Sequence, residues 1–273
     1  MKKRAFLLWA LCLLLALTDC GKRGLEQEPD QWALEDFQNC FGQSYQTTTE
    51  EYTLAAGTPG ENTVAVLRGR EEGPTVYIVA GVHGDEQAGW RAGNLMKEAT
   101  VKAGTVYIVS PANRYGAQND QRRTKDGRDL NRSFPGSPDG WDAEQIAHAI
   151  FADIEDKNPD IVLDLHEAVP KEDDYEKLGS NYDALGNSLI CQSLDGIGEL
   201  VLEAILRSEA GELCASPLVL YGSPPAGSVN HTVVDRLGIP AITVETLRSE
   251  PLSQRVSNQL ELVEFVLEYY GLR

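Results

Sequence analysis

Short β-branched runs recur along this sequence with helix-like segments between them, and that alternation limits the fold more than any other feature. Residues 75–80 (TVYIVA), 105–109 (TVYIV), 161–165 (IVLDL) and 240–244 (PAITV) read as strands, with further strand segments at 188–192 and 217–221. A helix pattern follows GVHGDEQAG and runs to about residue 99. Residues 141–156 place Ile146, Ile150 and Ile154 at i, i+4 and i+8, and a helix is expected across 196–208. Leu252, Val256, Leu260, Val263, Leu267 and Tyr270 mark a last amphipathic helix that Gly271 stops. Strands alternating with helices argue for a mainly parallel sheet covered on both faces. The longest stretches without a clear element are 111–139 and 167–187, and loops of that length are more often functional than idle.

With 273 residues the chain suffices for one large α/β domain or two small ones. Its 42% hydrophobic and 24% charged residues are an ordinary globular mix. Asp plus Glu number 42 against 24 Lys plus Arg, a formal charge of −18. So acidic a surface repels phosphate backbones and anionic lipid, so a nucleic-acid partner is not expected.

Residues 1–20 read as an export signal: Lys2, Lys3 and Arg4 precede an apolar run over 5–18 that is short for a membrane span. Leu17-Thr18-Asp19-Cys20 resembles a bacterial lipoprotein cleavage box, with Asp19 where a small residue is usual, so Cys20 is a candidate lipid anchor. Residues 21–46 read as a tether and entry segment, and 47–273 as the working domain. Of five Cys, Cys40, Cys191 and Cys214 remain beyond the leader. One disulfide is allowed, whereas a disulfide framework or a Cys-rich zinc site is excluded.

Histidine is scarce, confined to His83, His148, His166 and His231. His83 and His166 follow strand runs directly, and ligands of parallel α/β sheets bind beyond the carboxyl ends of the strands. Either one alone also reads as a hydrogen-bonded loop residue. Glu86 lies three residues after His83, so with a helix starting near Asp85 both side chains turn to one point. An imidazole and a carboxylate meeting a second imidazole leave a fourth position for water or substrate, the arrangement of catalytic zinc. Asp129 and Asp164 are available to hold the other ring nitrogens. His148 reads as solvent-facing and His231 stays ambiguous. Arg122, Arg123, Arg128 and Arg132 cluster in one loop, as either a solvated basic segment or an anion-binding wall. Glu245 directly follows a buried-type strand, as a satisfied structural group or a general base.

His83-x-x-Glu86, Asp129-x-Asn131-Arg132, then His166 and Glu245 after strands, resemble the zinc carboxypeptidase superfamily in order and type. GVHGDE, DGRDLNRSFPG, DLHEA and GIPAITVET are most similar to its succinylglutamate desuccinylase/aspartoacylase branch, over roughly residues 60–270. The resemblance implies a zinc-carboxypeptidase-like fold: a single α/β domain with a mixed, mainly parallel twisted sheet and helices on both faces. It implies one zinc per chain on His83, Glu86 and His166, with Glu245 as general base toward water and proton donor to the leaving amine. Asn131 and Arg132 would bind the substrate carboxylate, and Asp129 would orient His83. Arg122, favoured over the adjacent Arg123, would polarise the scissile carbonyl. Tyr221 stands near where carboxypeptidases place a mobile capping tyrosine, although a core or rim tyrosine fits equally.

The function expected is an exported zinc hydrolase that removes an N-acyl group from a small carboxylate-bearing substrate. A peptidase acting on cell-wall or other short peptides is the alternative, and an inactive solute-binding lipoprotein a third. Acidic residues in 167–177 read either as a group that repels an acidic acyl substrate, which weighs slightly against a dicarboxylate, or as a solvated rim. The expected location is extracellular, or lipid-anchored at the outer face of a bacterial cytoplasmic membrane. No GxSxG, Walker A, GxGxxG or HExxH motif competes.

Overall fold

The computed structural model describes residues 28–37, 40–168 and 186–273. The leader, the candidate lipid anchor Cys20 and most of the second long loop lie outside the described residues. The chain divides into a first unit, residues 1–32, and a second, residues 33–273. The described part of the first carries one 3₁₀ turn, Pro29–Gln31. The second unit holds the sheet and every residue discussed below.

Eight strands form one sheet among the described residues: β1 Thr47–Leu54, β2 Asn62–Gly69, β3 Glu71–Ala80, β4 Ala103–Val109, β5 Ile161–Ala168, β6 Ser188–Cys191, β7 Val219–Gly222 and β8 Ala241–Leu247. Their order is β1-β2-β4-β3-β5-β8-β6-β7. The centre is parallel, with β3 between β4 and β5, and β5 beside β8. The β1–β2, β2–β4 and β6–β8 pairings are antiparallel, so the sheet is mainly parallel, as the strand–helix alternation predicts, and mixed, as the family resemblance implies. β5 is buried along its whole length, which its apolar run requires of a strand covered on both faces.

Among the described residues six α-helices follow the same logic: α1 Gln87–Met96, α2 Arg114–Asn119, α3 Asp142–Lys157, α4 Gly198–Glu209, α5 Val229–Leu237 and α6 Leu252–Tyr269. α1 and α6 pack on each other and on β5 and β8, with α4 against α6. On the opposite face α5 covers β5 and β8 and meets α3. Ile150 and Ile154 are fully buried and Ile146 nearly so, in one core cluster with Tyr77, Val79 and Val233. Burying each such side chain contributes roughly 1.5–3 kcal/mol. No described helix is long and apolar enough to cross a membrane.

Four elements were not expected from the sequence: β1, β2, α2 inside 111–139, and α5. β1 is largely exposed and polar on its outer face, so it shows no apolar run. α1 reaches the sheet through glycine. A Cβ on Gly89 would lie 2.5 Å from the Leu165 carbonyl oxygen, so only glycine lets the helix approach β5 this closely.

Candidate metal centre

Each chemical side chain arrives from a different element. β3 ends at Ala80, and a left-handed Gly81 turns the chain so that His83 faces the carboxyl ends of the strands. His166 sits within β5, level with Glu245 of β8. Glu86 is the residue that caps the start of α1. Asp129 and Asn131 come from a 3₁₀ turn, Leu130–Arg132, which the Asp129 carboxylate itself caps through Asn131 N–H at 2.9 Å.

The two imidazoles meet one carboxylate. His83 Nδ1 lies 2.6 Å from Glu86 Oε1, and His166 Nδ1 lies 2.7 Å from Glu86 Oε2. The rings are 4.9 Å apart, edge to face. All three side chains are buried, and one ligand atom from each falls within 4.8 Å of the others. The opposite ring nitrogens face aspartates, with His83 Nε2 3.1 Å from Asp129 Oδ1 and His166 Nε2 3.1 Å from Asp164 Oδ1. With each Nε2 beside an aspartate, the two Nδ1 atoms and the Glu86 carboxylate converge on one buried point. Without a metal, hydrogen bonds between imidazole and carboxylate and the Arg122 guanidinium hold this set together. A cation fits there, and two nitrogens with one carboxylate suit zinc.

Electrostatics follow from this crowding. Burial opposes ionisation of Glu86, yet His83 and His166 hold its carboxyl well below the usual range. Burial likewise opposes Asp129, and His83, Arg122 and Arg132 outweigh it. Glu245 behaves oppositely. Burial pushes its carboxyl up to about 8, helped by Glu86 and Asp164 and opposed by His166 and Arg122. Its Oε2 is buried and has no hydrogen-bond partner among the described residues.

Arg122 is brought into the cluster. Its Nη1 lies 3.1 Å from His83 Nδ1 and 3.2 Å from Glu86 Oε1, and its Nη2 donates to Asp129 Oδ2 at 3.2 Å. The adjacent Arg123 is exposed and donates to the Gly127 carbonyl within its own loop. Asn131 is buried with Nδ2 3.5 Å from His166 Nε2. Arg132 is exposed, donates to the Asn131 carbonyl at 2.8 Å and acts on the charge of Asp129. Tyr221 is not brought into this cluster. It lies on the edge strand β7, paired with Ile190 of β6, which pairs in turn with Thr243 of β8. His148 and His231 are half-buried on α3 and α5, outside the centre. Cys40, Cys191 and Cys214 are buried free thiols.

Several contributors were not anticipated. Glu167 follows His166 and is wholly buried, Arg255 of α6 pairs with it, and Arg248 lies 3.0 Å from Asp85. Gln259 of α6 donates to the His166 carbonyl at 2.7 Å. Only the Glu beside His166 in DLHEA offered a sequence signal. The partners are distant in the chain.

Fold and centre together define the carboxypeptidase-like class of α/β hydrolases. Within that class, residues 72–269 match the succinylglutamate desuccinylase/aspartoacylase catalytic domain, and the chain belongs to that family. A 101-residue stretch is 41% identical to N-alpha-acetyl-L-2,4-diaminobutyric acid deacetylase of Halomonas elongata, covering 36% of this chain. That match spans 29% of the deacetylase, under a third of its length. The fold is similar to that of an aspartoacylase family protein of Mesorhizobium loti, with a TM-score of 0.60 and 24% identity over 89% of this chain and 70% of that one. It is also similar to the cell shape determinant Csd4 of Helicobacter pylori solved with a tripeptide, with a TM-score of 0.63 and 20% identity over 84% and 56% of the two chains.

Proposed function

We propose that this protein is an exported zinc-dependent hydrolase that cleaves the amide bond of a small carboxylate-bearing substrate, in the manner of an N-acyl amino acid deacylase. One observation carries the reading. Two imidazole Nδ1 atoms and the Glu86 carboxylate meet at a buried point, and Glu245 stands level with His166 on the next strand. His83, Glu86 and His166 would hold the ion. Zinc bound there would supply a Lewis acid and make water reactive near neutral pH. Glu245 takes up a proton and returns it to the leaving amine, and its burial raises its proton affinity above that of an ordinary carboxylate. Arg122 faces the same point and offsets negative charge developing on the carbonyl oxygen. Asp129 and Asp164 fix the two rings. Asn131 and Arg132 hold the substrate carboxylate and so place the amide, while Arg123 and Tyr221 belong to the outer rim. The deacetylase relative supports the acyl-transfer reading.

The export-type leader favours a second reading, hydrolysis of wall-type or other short peptides, because such peptides lie outside the membrane. A mass-spectrometric screen separates the two, comparing N-acyl amino acids with short peptides, with and without chelator. Chelator-sensitive deacylation is the expected result. Release from peptides alone moves the assignment to peptidase, and chelator-insensitive hydrolysis rejects both.

A further inference from the structure

Glu86 holds the N-cap position of α1, yet its side chain makes no capping hydrogen bond. An N-cap side chain ordinarily accepts from a first-turn N–H, because the leading amides of a helix have no partner within it. Here the carboxylate is committed to His83 and His166. Another element supplies the missing acceptor. Glu167 of β5 accepts from Ala88 N–H, in the first turn of α1, at 3.0 Å. Its second oxygen is ion-paired with Arg255 of α6, and its own N–H donates to Glu86 Oε2 at 3.1 Å. The Glu167 side chain has no solvent exposure. A buried carboxylate beside Glu86 is costly unless it is paired and hydrogen-bonded, and Arg255 and Ala88 meet both needs.

We propose that Glu167, held by Arg255, is a positioning residue that caps α1 from the neighbouring strand and thereby frees Glu86 for the bound cation. The inference rests on the metal reading above. Without Glu167, the acceptor side chain at the N-cap position is that of Glu86 itself, so capping and metal ligation compete for one carboxylate.

The test uses the full chain stripped of metal, with zinc titrated against a chromophoric competitor and thermal melts of the metal-free protein in parallel. A wild-type chain that binds no zinc sinks the metal reading, before any variant is compared. Given wild-type binding, Glu167→Met, of similar volume but without an acceptor, weakens zinc affinity by roughly 10- to 100-fold. Glu167→Gln, whose amide oxygen still accepts from Ala88, retains most of the affinity. Wild-type affinity in Glu167→Met overturns the proposal, as do equal losses in the Met and Gln variants. A lowered melting temperature with unchanged affinity marks a merely structural role and also overturns it. Hydrogen exchange at Ala88 in metal-free wild type needs no variant to fold. Protection supports the cap, and exchange at the rate of a frayed end refutes it.

Discussion

Glu245 is a buried carboxylate with one oxygen lacking a partner, an arrangement a fold keeps only where something else compensates it. Glu245→Gln preserves volume and burial while removing the proton acceptor. Turnover should fall by about 10²- to 10⁴-fold, with zinc content per chain and melting temperature unchanged. Intact turnover in that variant would remove Glu245 from the reaction. At this scale the sequence was informative where chemistry adjoins an apolar strand run: His83 follows β3, whereas His166 and Glu245, expected just after their strands, lie within β5 and β8. It was silent on Glu167 with Arg255 and Asp85 with Arg248, because those pairs form between segments far apart in the chain. It could not separate Arg122 from Arg123, since adjacent side chains diverge only once the loop is folded.

Burial made some elements legible but not all, since β2 is largely buried and was still not anticipated. β5, wholly enclosed, shows a mainly apolar run broken at Asp164, and α3 shows its isoleucine stripe. β1 leaves one face in water and α5 spans nine residues, so neither imposes a clear period. The contact of α1 with β5 decides where Glu86 stands relative to His166, and Gly89 sets its closeness. Gly89→Ala forces a Cβ against the Leu165 carbonyl and should destabilise the fold by about 1–3 kcal/mol, read from urea midpoints. The same variant should bind zinc more weakly, because Glu86 moves with its helix. Wild-type stability and zinc affinity together would show that the helix adjusts without moving the centre.

For the molecule as a whole, thiol burial sets a limit on alkaline stability. Burial pushes Cys191 up to about 12, and burial with Glu261 and Glu264 does the same for Cys40, against an ordinary 9.0. The unfolded chain releases these protons first. The stabilisation is therefore complete below pH 9 and is lost as pH rises toward 12. Urea midpoints should fall steadily above about pH 9 by an amount on the order of a few kcal/mol, and a flat profile to pH 10.5 would contradict it. The sheet's mainly parallel plan was readable from alternation, whereas its order was not, because order depends on crossovers that leave no local trace. That order has a consequence for biosynthesis. β3, β5 and β8 lie side by side in the sheet yet are spread across most of the chain, so β8 is the last of the three to be synthesised. A partly synthesised chain holds both imidazoles without Glu245. On the proposed mechanism such a chain lacks its general base until β8 docks, and a cut between β5 and β8 that released β8 would remove that base again.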